Sequence, residues 1–240
     1  MEETDRNSGL TAIQPKSMRR DTHYGNSFWA FISAKAGREV HAFSNLEYYN
    51  LITLEMDPKV KNFIEQPIGF DTGKIVTAPD TGTGSKNPTP DVYVTYYDGH
   101  CEIQEVKYSF EAESDTEKGE KDRAQISREK AFAEALGMKF VLRTEKEILK
   151  DRCRMNNLLY MAGQVRSYGT KLNVPLRNAI AAFLKENAHV TIGELVEAGF
   201  LTKRTAMREI SILYYNGAID LAQCGRILDF DTEVKILGRD

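Results

Sequence analysis

A chain of 240 residues with 41% hydrophobic side chains can build one large domain or two smaller ones around a packed core. Its 32 lysines and arginines against 35 aspartates and glutamates leave a net charge of -3. That balance excludes a wholly basic nucleic-acid binder and confines any DNA contact to local patches or cation-masked carboxylates.

The remaining exclusions are chemical. Cys101, Cys153 and Cys224 are scattered and odd in number, which argues for a reducing compartment and against a disulfide framework. His23, His41, His100 and His189 have no zinc-ligand spacing. No apolar run approaches the roughly 18 residues of a membrane span, and the start of the chain lacks a signal peptide's apolar segment. A soluble, cytoplasmic protein is expected.

Residues 1–22 are polar, with a small basic group at Met18, Arg19 and Arg20, and are expected to form a flexible arm. Phe28, Trp29 and Phe31 read as core aromatics. Ser44 and Glu47 fit a capping box, and Tyr48, Leu51, Ile52 and Glu55 follow at helical spacing until Asp57 and Pro58 stop the helix. Glu47 closes its own helix end in the bland reading. It also borders the buried face and can reach a cleft from there. Residues 60–70 read as a strand broken at Gln66 and Pro67. Residues 71–89 read as a long loop rich in Thr, Gly and Pro. Asp80 in that loop is rejected as a metal ligand, because no core strand follows it. Lys74 and Lys86 are available there to a DNA backbone.

Residues 90–107 organise the chain. Asp91 opens an alternating β-branched and aromatic run, Asp98 and Gly99 mark a turn, and the return run ends in Glu105, Val106 and Lys107. Side chains alternate across a strand, so Glu105 and Lys107 share a face, about 7 Å apart. A two-residue turn would pair Asp91 with Val106. A three-residue turn with Gly99 in the left-handed conformation pairs Asp91 with Glu105, and this register is preferred. Facing carboxylates destabilise a sheet unless a divalent cation lies between them, and oxygen-only ligands suit Mg²⁺, with Mn²⁺ as a substitute.

Beyond the hairpin, residues 111–122 read as a solvated charged loop. A helix over 121–136 offers Arg123, Arg128 and Lys130 to phosphates. A strand over 139–143 and a helix over 145–162 complete a mixed α/β core. Residues 163–171 read as a linker. Then come a helix over 175–185, a capping box at Thr191 and Glu194 that opens a short helix ended by Gly199, a third helix capped by Thr202 and running to Tyr215, and short strands over 218–221 and 226–230. That order is a winged-helix layout. Lys203, Arg204 and Arg208 at its third helix are too sparse a patch for a DNA reader, which favours a protein partner. The domains read as an arm over 1–22, a mixed α/β domain over 23–168 and a winged helix over 169–240.

Asp91, Glu105 and Lys107 fit metal-assisted hydrolysis of a phosphodiester. The carboxylates and the Val106 carbonyl hold Mg²⁺, and Glu47 completes the site from the neighbouring helix. Lys107 orients or deprotonates the attacking water, or neutralises charge on phosphorus.

Glu47, Pro90 with Asp91, and Glu105 with Lys107 resemble the PD-(D/E)XK nuclease superfamily. Leu46 to Tyr49, Leu54 to Val60, Glu65 to Pro67, Pro90 to Val92 and Glu105 to Lys107 look more closely like the TnsA family, the endonuclease subunits of heteromeric transposases. The resemblance implies a restriction-endonuclease-like mixed-sheet domain followed by a winged helix. It implies cleavage of the 5′ non-transferred strand of double-stranded DNA at transposon ends, in a bacterial cytoplasm. Glu47, Asp91, Glu105 and Lys107 take the catalytic places. A DDE-type transposase, TnsB, and an ATPase regulator, TnsC, are the implied partners. A stand-alone restriction or repair nuclease of the same fold, and a non-catalytic winged-helix adaptor, are the alternatives.

Overall fold

The hairpin at residues 90–107 turns as its composition requires. Strand β6 (Val92–Tyr96) pairs antiparallel with β7 (Cys101–Val106), Val92 facing Gln104 and Thr95 facing Cys101, so the register brings Asp91 opposite Glu105. The amide of Tyr96 donates to the His100 carbonyl and that of Gly99 to the Tyr96 carbonyl, which closes a three-residue loop. Gly99 sits at φ +90°, a conformation open to residues without a Cβ.

This is a computed structural model, and it describes residues 13–16, 27–68 and 89–237. In chain order the first elements are β1 (Gln14–Pro15), β2 (Trp29–Ser33), β3 (Arg38–Ala42), α1 (Asn45–Met56), β4 (Val60–Glu65) and β5 (Pro67–Ile68). After the hairpin come α2 (Ser109–Glu113), α3 (Glu117–Ala135), β8 (Lys139–Arg143), α4 (Glu145–Ile148) and α5 (Arg152–Tyr168). The last are α6 (Val174–Glu186), α7 (Ile192–Glu197), α8 (Ala206–Tyr215), β9 (Ile219–Leu221) and β10 (Val234–Ile236). The chain divides into two compact units. One holds residues 1–30, 40–48 and 61–147, and the other holds 31–39, 49–60 and 148–240.

The first unit is built on a four-stranded mixed sheet of order β4-β6-β7-β8, with β7 antiparallel to β6 and parallel to β8. A parallel pair needs a crossover, and α2 and α3 supply it. Phe132 and Ala133 of α3 pack with Ile103 of β7 into a core flanked by Tyr93, Leu136, Met138 and Phe140. The central strand β7 is buried from Glu102 to Val106, its charged residues included.

Residues 111–122, expected as a loop, are mostly helical. The Ser109 amide donates to Glu145 Oε2 at 2.8 Å, which anchors the start of α2. Thr116 caps α3 by accepting from the Gly119 amide. Gly119 is required there, because a Cβ would lie 2.1 Å from the Ser114 carbonyl oxygen. A short polar turn between two helices carries the same composition as a loop, so composition alone misleads.

Two further expectations on this side change. Within the stretch expected as an arm, Gln14 and Pro15 pair antiparallel with Pro67 and Ile68. Trp29 is not a core residue. It is 40% exposed, stacks on Tyr48 at 4.6 Å, and donates its indole N–H to Asn45 Oδ1.

The second unit is mainly helical. α5 starts at the Asp151 cap and continues through the stretch expected as a linker until Gly169 ends it at φ +84°. The expected helix over 145–162 is thus two, α4 and α5. α6, α7 and α8 follow, with the Thr191–Glu194 capping box formed. Thr205, not Thr202, is the N-cap of α8. β9 pairs antiparallel with β10. Residues 226–230, expected as the partner strand, are irregular. The Asn157 side chain receives the Leu228 amide and donates to the Arg226 carbonyl, meeting the backbone needs that a ladder would otherwise meet. Among the described residues no helix is long and apolar enough to cross a membrane.

Candidate active site

Asp91 lies just before β6, and two donors hold its carboxylate. Gln66 Nε2 reaches Oδ1 at 2.9 Å, and the Val106 amide reaches Oδ2 at 2.8 Å. Gln66 also donates its own amide to the Asp91 carbonyl, from a backbone at φ +43°. That φ is uncommon outside glycine, and here it turns the chain between β4 and β5 so that one residue grips Asp91 twice.

Glu105 projects from β7 toward the same place and is 2% exposed. Its Oε1 accepts from Lys107 Nζ and from Gln125 Nε2, both at 3.1 Å. Among the described residues its Oε2 is buried with no hydrogen-bond partner. Lys107 is also paired with Asp122 at 3.3 Å and donates to Gln125 Oε1 at 3.3 Å. Gln125 Nε2 reaches Glu129 Oε1 at 2.9 Å, and Glu129 is fully buried.

The electrostatics follow from this crowding. Burial first, then the Glu105 and Glu47 charges, hold the Asp91 carboxyl well above the ordinary carboxylate range, against the pull of the Val106 amide. Burial and Glu129 push Glu105 up to about 8, against Lys107. Burial also raises Glu129, with Asp91 adding to it. Burial acts to lower Lys107, but the Glu105 and Asp122 carboxylates outweigh it, and the ammonium is favoured.

The sequence-derived candidates are thus distributed as follows. Asp91, Glu105 and Lys107 stand together. Glu47 lies in the first turn of α1, where its Oε2 accepts from the Phe43 amide at 3.0 Å and its charge reaches Asp91. Val106 turns its amide, through the bond to Asp91, into the site. Arg123, Arg128 and Lys130 are exposed on α3, Arg123 donating to the Ser114 carbonyl at 2.6 Å. Lys86 lies outside the described residues, as do Lys74 and Asp80. In the second unit Lys203 and Arg204 are exposed in the turn before α8. Arg208 is paired with Glu209 at 2.6 Å and lies over the Tyr168 ring.

Gln66, Asp122, Gln125 and Glu129 were not singled out from sequence. A signal for the last three exists. Residues 122, 125, 129, 132 and 133 follow one helical stripe, so the polar members continue the face that buries Phe132 and Ala133.

Among the described residues no group of three or more His, Cys, Asp or Glu side chains could hold a metal ion. What remains is a facing carboxylate pair with one buried, unpartnered oxygen. Mg²⁺ is commonly held by one or two carboxylates with water completing the shell, so the pair suits a hard divalent cation.

Residues 57–145 match the family model described as the TnsA-like endonuclease N-terminal domain. Over those residues the chain is similar to the TnsA-like endonucleases. The match covers Asp91, Glu105, Lys107 and α3, and it supports a PD-(D/E)XK-type nuclease role. Glu47 lies upstream of the TnsA-like segment, and the helical second half of the chain lies beyond it. No curated protein matches the chain.

Proposed function

We propose that this chain is a Mg²⁺-dependent DNA endonuclease subunit of a heteromeric transposase, cutting the 5′ non-transferred strand at transposon ends. The observation that carries the reading is the Asp91–Glu105 pair, with a buried, unpartnered Glu105 oxygen and the Lys107 ammonium beside it. Asp91 and Glu105 would hold the cation, with the Val106 carbonyl as a further oxygen, while Glu47 adds its charge from the start of α1. When bound, Mg²⁺ supplies Lewis-acid polarisation of the phosphoryl oxygen and a water of lowered pKa. The chain's own side chains do the rest. Gln66 and the Val106 amide orient Asp91, so little reorganisation is needed as charge develops. Lys107, favoured as an ammonium, orients the water and neutralises charge on phosphorus rather than acting as a base. Arg123, Arg128 and Lys130 are the proposed phosphate contacts.

For the C-terminal part, the order α6, α7, α8 and then a β9–β10 pair supports a winged helix. Arg208 is already engaged by Glu209 and Tyr168, which leaves Lys203 and Arg204 as a small exposed basic pair. So small a patch suits a protein partner better than a DNA groove. The transposase TnsB and the regulator TnsC are the partners proposed.

The test is strand cleavage by the Asp91→Ala protein together with the transposase and Mg²⁺. Cleavage should fall to background while the protein stays folded. Undiminished cleavage of the 5′ strand would end the enzyme reading. Purified wild type should be nearly silent without the transposase, since a lone restriction-type nuclease would cut unaided.

A further inference from the structure

We infer that Gln125 is a positioning residue: its side-chain amide ties the Lys107 ammonium to α3, so that Lys107 stays over the site when Glu105 turns to a cation. The inference rests on the nuclease reading and names a residue that reading does not use.

One side chain, that of Gln125, meets three charged groups here. Gln125 Oε1 accepts from Lys107 at 3.3 Å, while Nε2 donates to Glu105 Oε1 at 3.1 Å and to Glu129 Oε1 at 2.9 Å. A side-chain amide offers an acceptor for an ammonium and two donor hydrogens for two carboxylates. A carboxylate there would keep the acceptor, lose both donors and add a charge beside Glu105, Glu129, Asp122 and Asp91. An apolar side chain would lose all three bonds. Glu129, fully buried one turn further along α3, fixes which end of the amide faces Lys107.

The consequence concerns how the ammonium is shared. Among the described residues Lys107 has three partners, Glu105 on β7 and Asp122 and Gln125 on α3. A cation that engages Glu105 removes the first. The two helix residues remain, and both approach from the same element. Gln125 therefore sets the position of Lys107 in the state that does chemistry, although it touches neither DNA nor the reacting atoms.

The experiment compares full-length wild type, Q125M, K107A and K107A/Q125M in Mg²⁺-dependent cleavage with the transposase, and in melting with and without Mn²⁺. Q125M should lower kcat about 10- to 100-fold, the scale set by small misplacements of a charged group, with KM for DNA unchanged. It should add nothing further in the K107A background, because the two act as a unit. The Mn²⁺-induced rise in Tm should persist, since Asp91 and Glu105 are intact. A Mn²⁺-soaked crystal structure of Q125M should show Lys107 displaced from its place in the soaked wild type. The inference is overturned by a wild-type rate in Q125M, by losses that multiply across the two sites, or by an unmoved Lys107. If wild type neither cuts nor responds to Mn²⁺, the nuclease reading fails and the inference with it, whereas an active wild type beside an unaffected Q125M overturns the inference alone. Q125A serves for the same measurements should Q125M not fold.

Discussion

Asp91 and Glu105 are held together against their mutual repulsion, and the sign of that effect is testable. Both carboxyls have folded-state values above their unfolded ones, Glu105 at about 8, so the folded state favours their protonated forms. Stability of the metal-free protein should therefore be greatest below the unfolded carboxylate values and decline as pH rises through about 8. Measured Tm without metal should fall between pH 5 and about 8, and Mn²⁺ should flatten that fall. A metal-free Tm that rises over this range would show that the two carboxylates do not face each other in solution. Glu105→Gln removes one charge and puts an amide nitrogen where Oε2 has no partner. It should raise the metal-free Tm and abolish the Mn²⁺ response. Asp91→Asn should do the same, with the Gln66 amide turning to accept from the new nitrogen. A substituted protein that still gains stability from Mn²⁺ would place the cation elsewhere.

At the level of elements, α3 is the hinge of the site. It carries Asp122, Gln125 and Glu129 inward and Arg128 and Lys130 outward, and its start is set by the Thr116 cap. Thr116→Ala should cost about 1 kcal/mol of stability, the ordinary worth of such a cap, measured by denaturant unfolding. A larger share of the effect should appear as slower cleavage, because the first turns of α3 hold Asp122 and Gln125. Equal cleavage with lowered stability would mean that the α3 start does not bear on Lys107. The β6–β7 hairpin was readable from sequence because one loop length alone lets both Asp91 and Glu105 use the same face. α2 and the start of α3 were not readable, since a capped helix start and a charged loop have the same composition until Ser109 finds Glu145.

Across the whole molecule, the second compact unit takes residues 31–39 and 49–60 as well as the C-terminal stretch. Within it Lys35 donates to the carbonyls of Asp57 and Val60 and lies over the Tyr215 ring, and burial lowers its pKa to about 8. Deleting residues from 170 onward would strip that unit of Tyr215 and of α8, so truncation is a poor probe of docking. Charge reversal of the exposed pair, Lys203→Glu with Arg204→Glu, leaves the core untouched. It should weaken binding to an ATPase regulator at least tenfold, read by calorimetry, and leave affinity for transposon-end DNA unchanged. Loss of DNA affinity with regulator binding intact would reverse the preference for a protein partner.

The sequence by itself determined the local features: the Thr191–Glu194 cap, the Gly99 turn, the strand alternation that aligns Glu105 with Lys107, and the register that follows. Each depends on residues a few positions apart, where backbone sterics and side-chain reach leave few choices. Only the tertiary structure decided that Gln125, Glu129 and Asp122 belong to the site, that Gln66 grips Asp91, and that Trp29 stays exposed. Those outcomes depend on which face of a helix docks on which strand, and a stripe of polar residues is compatible with solvent until an opposing carboxylate and ammonium make its burial favourable.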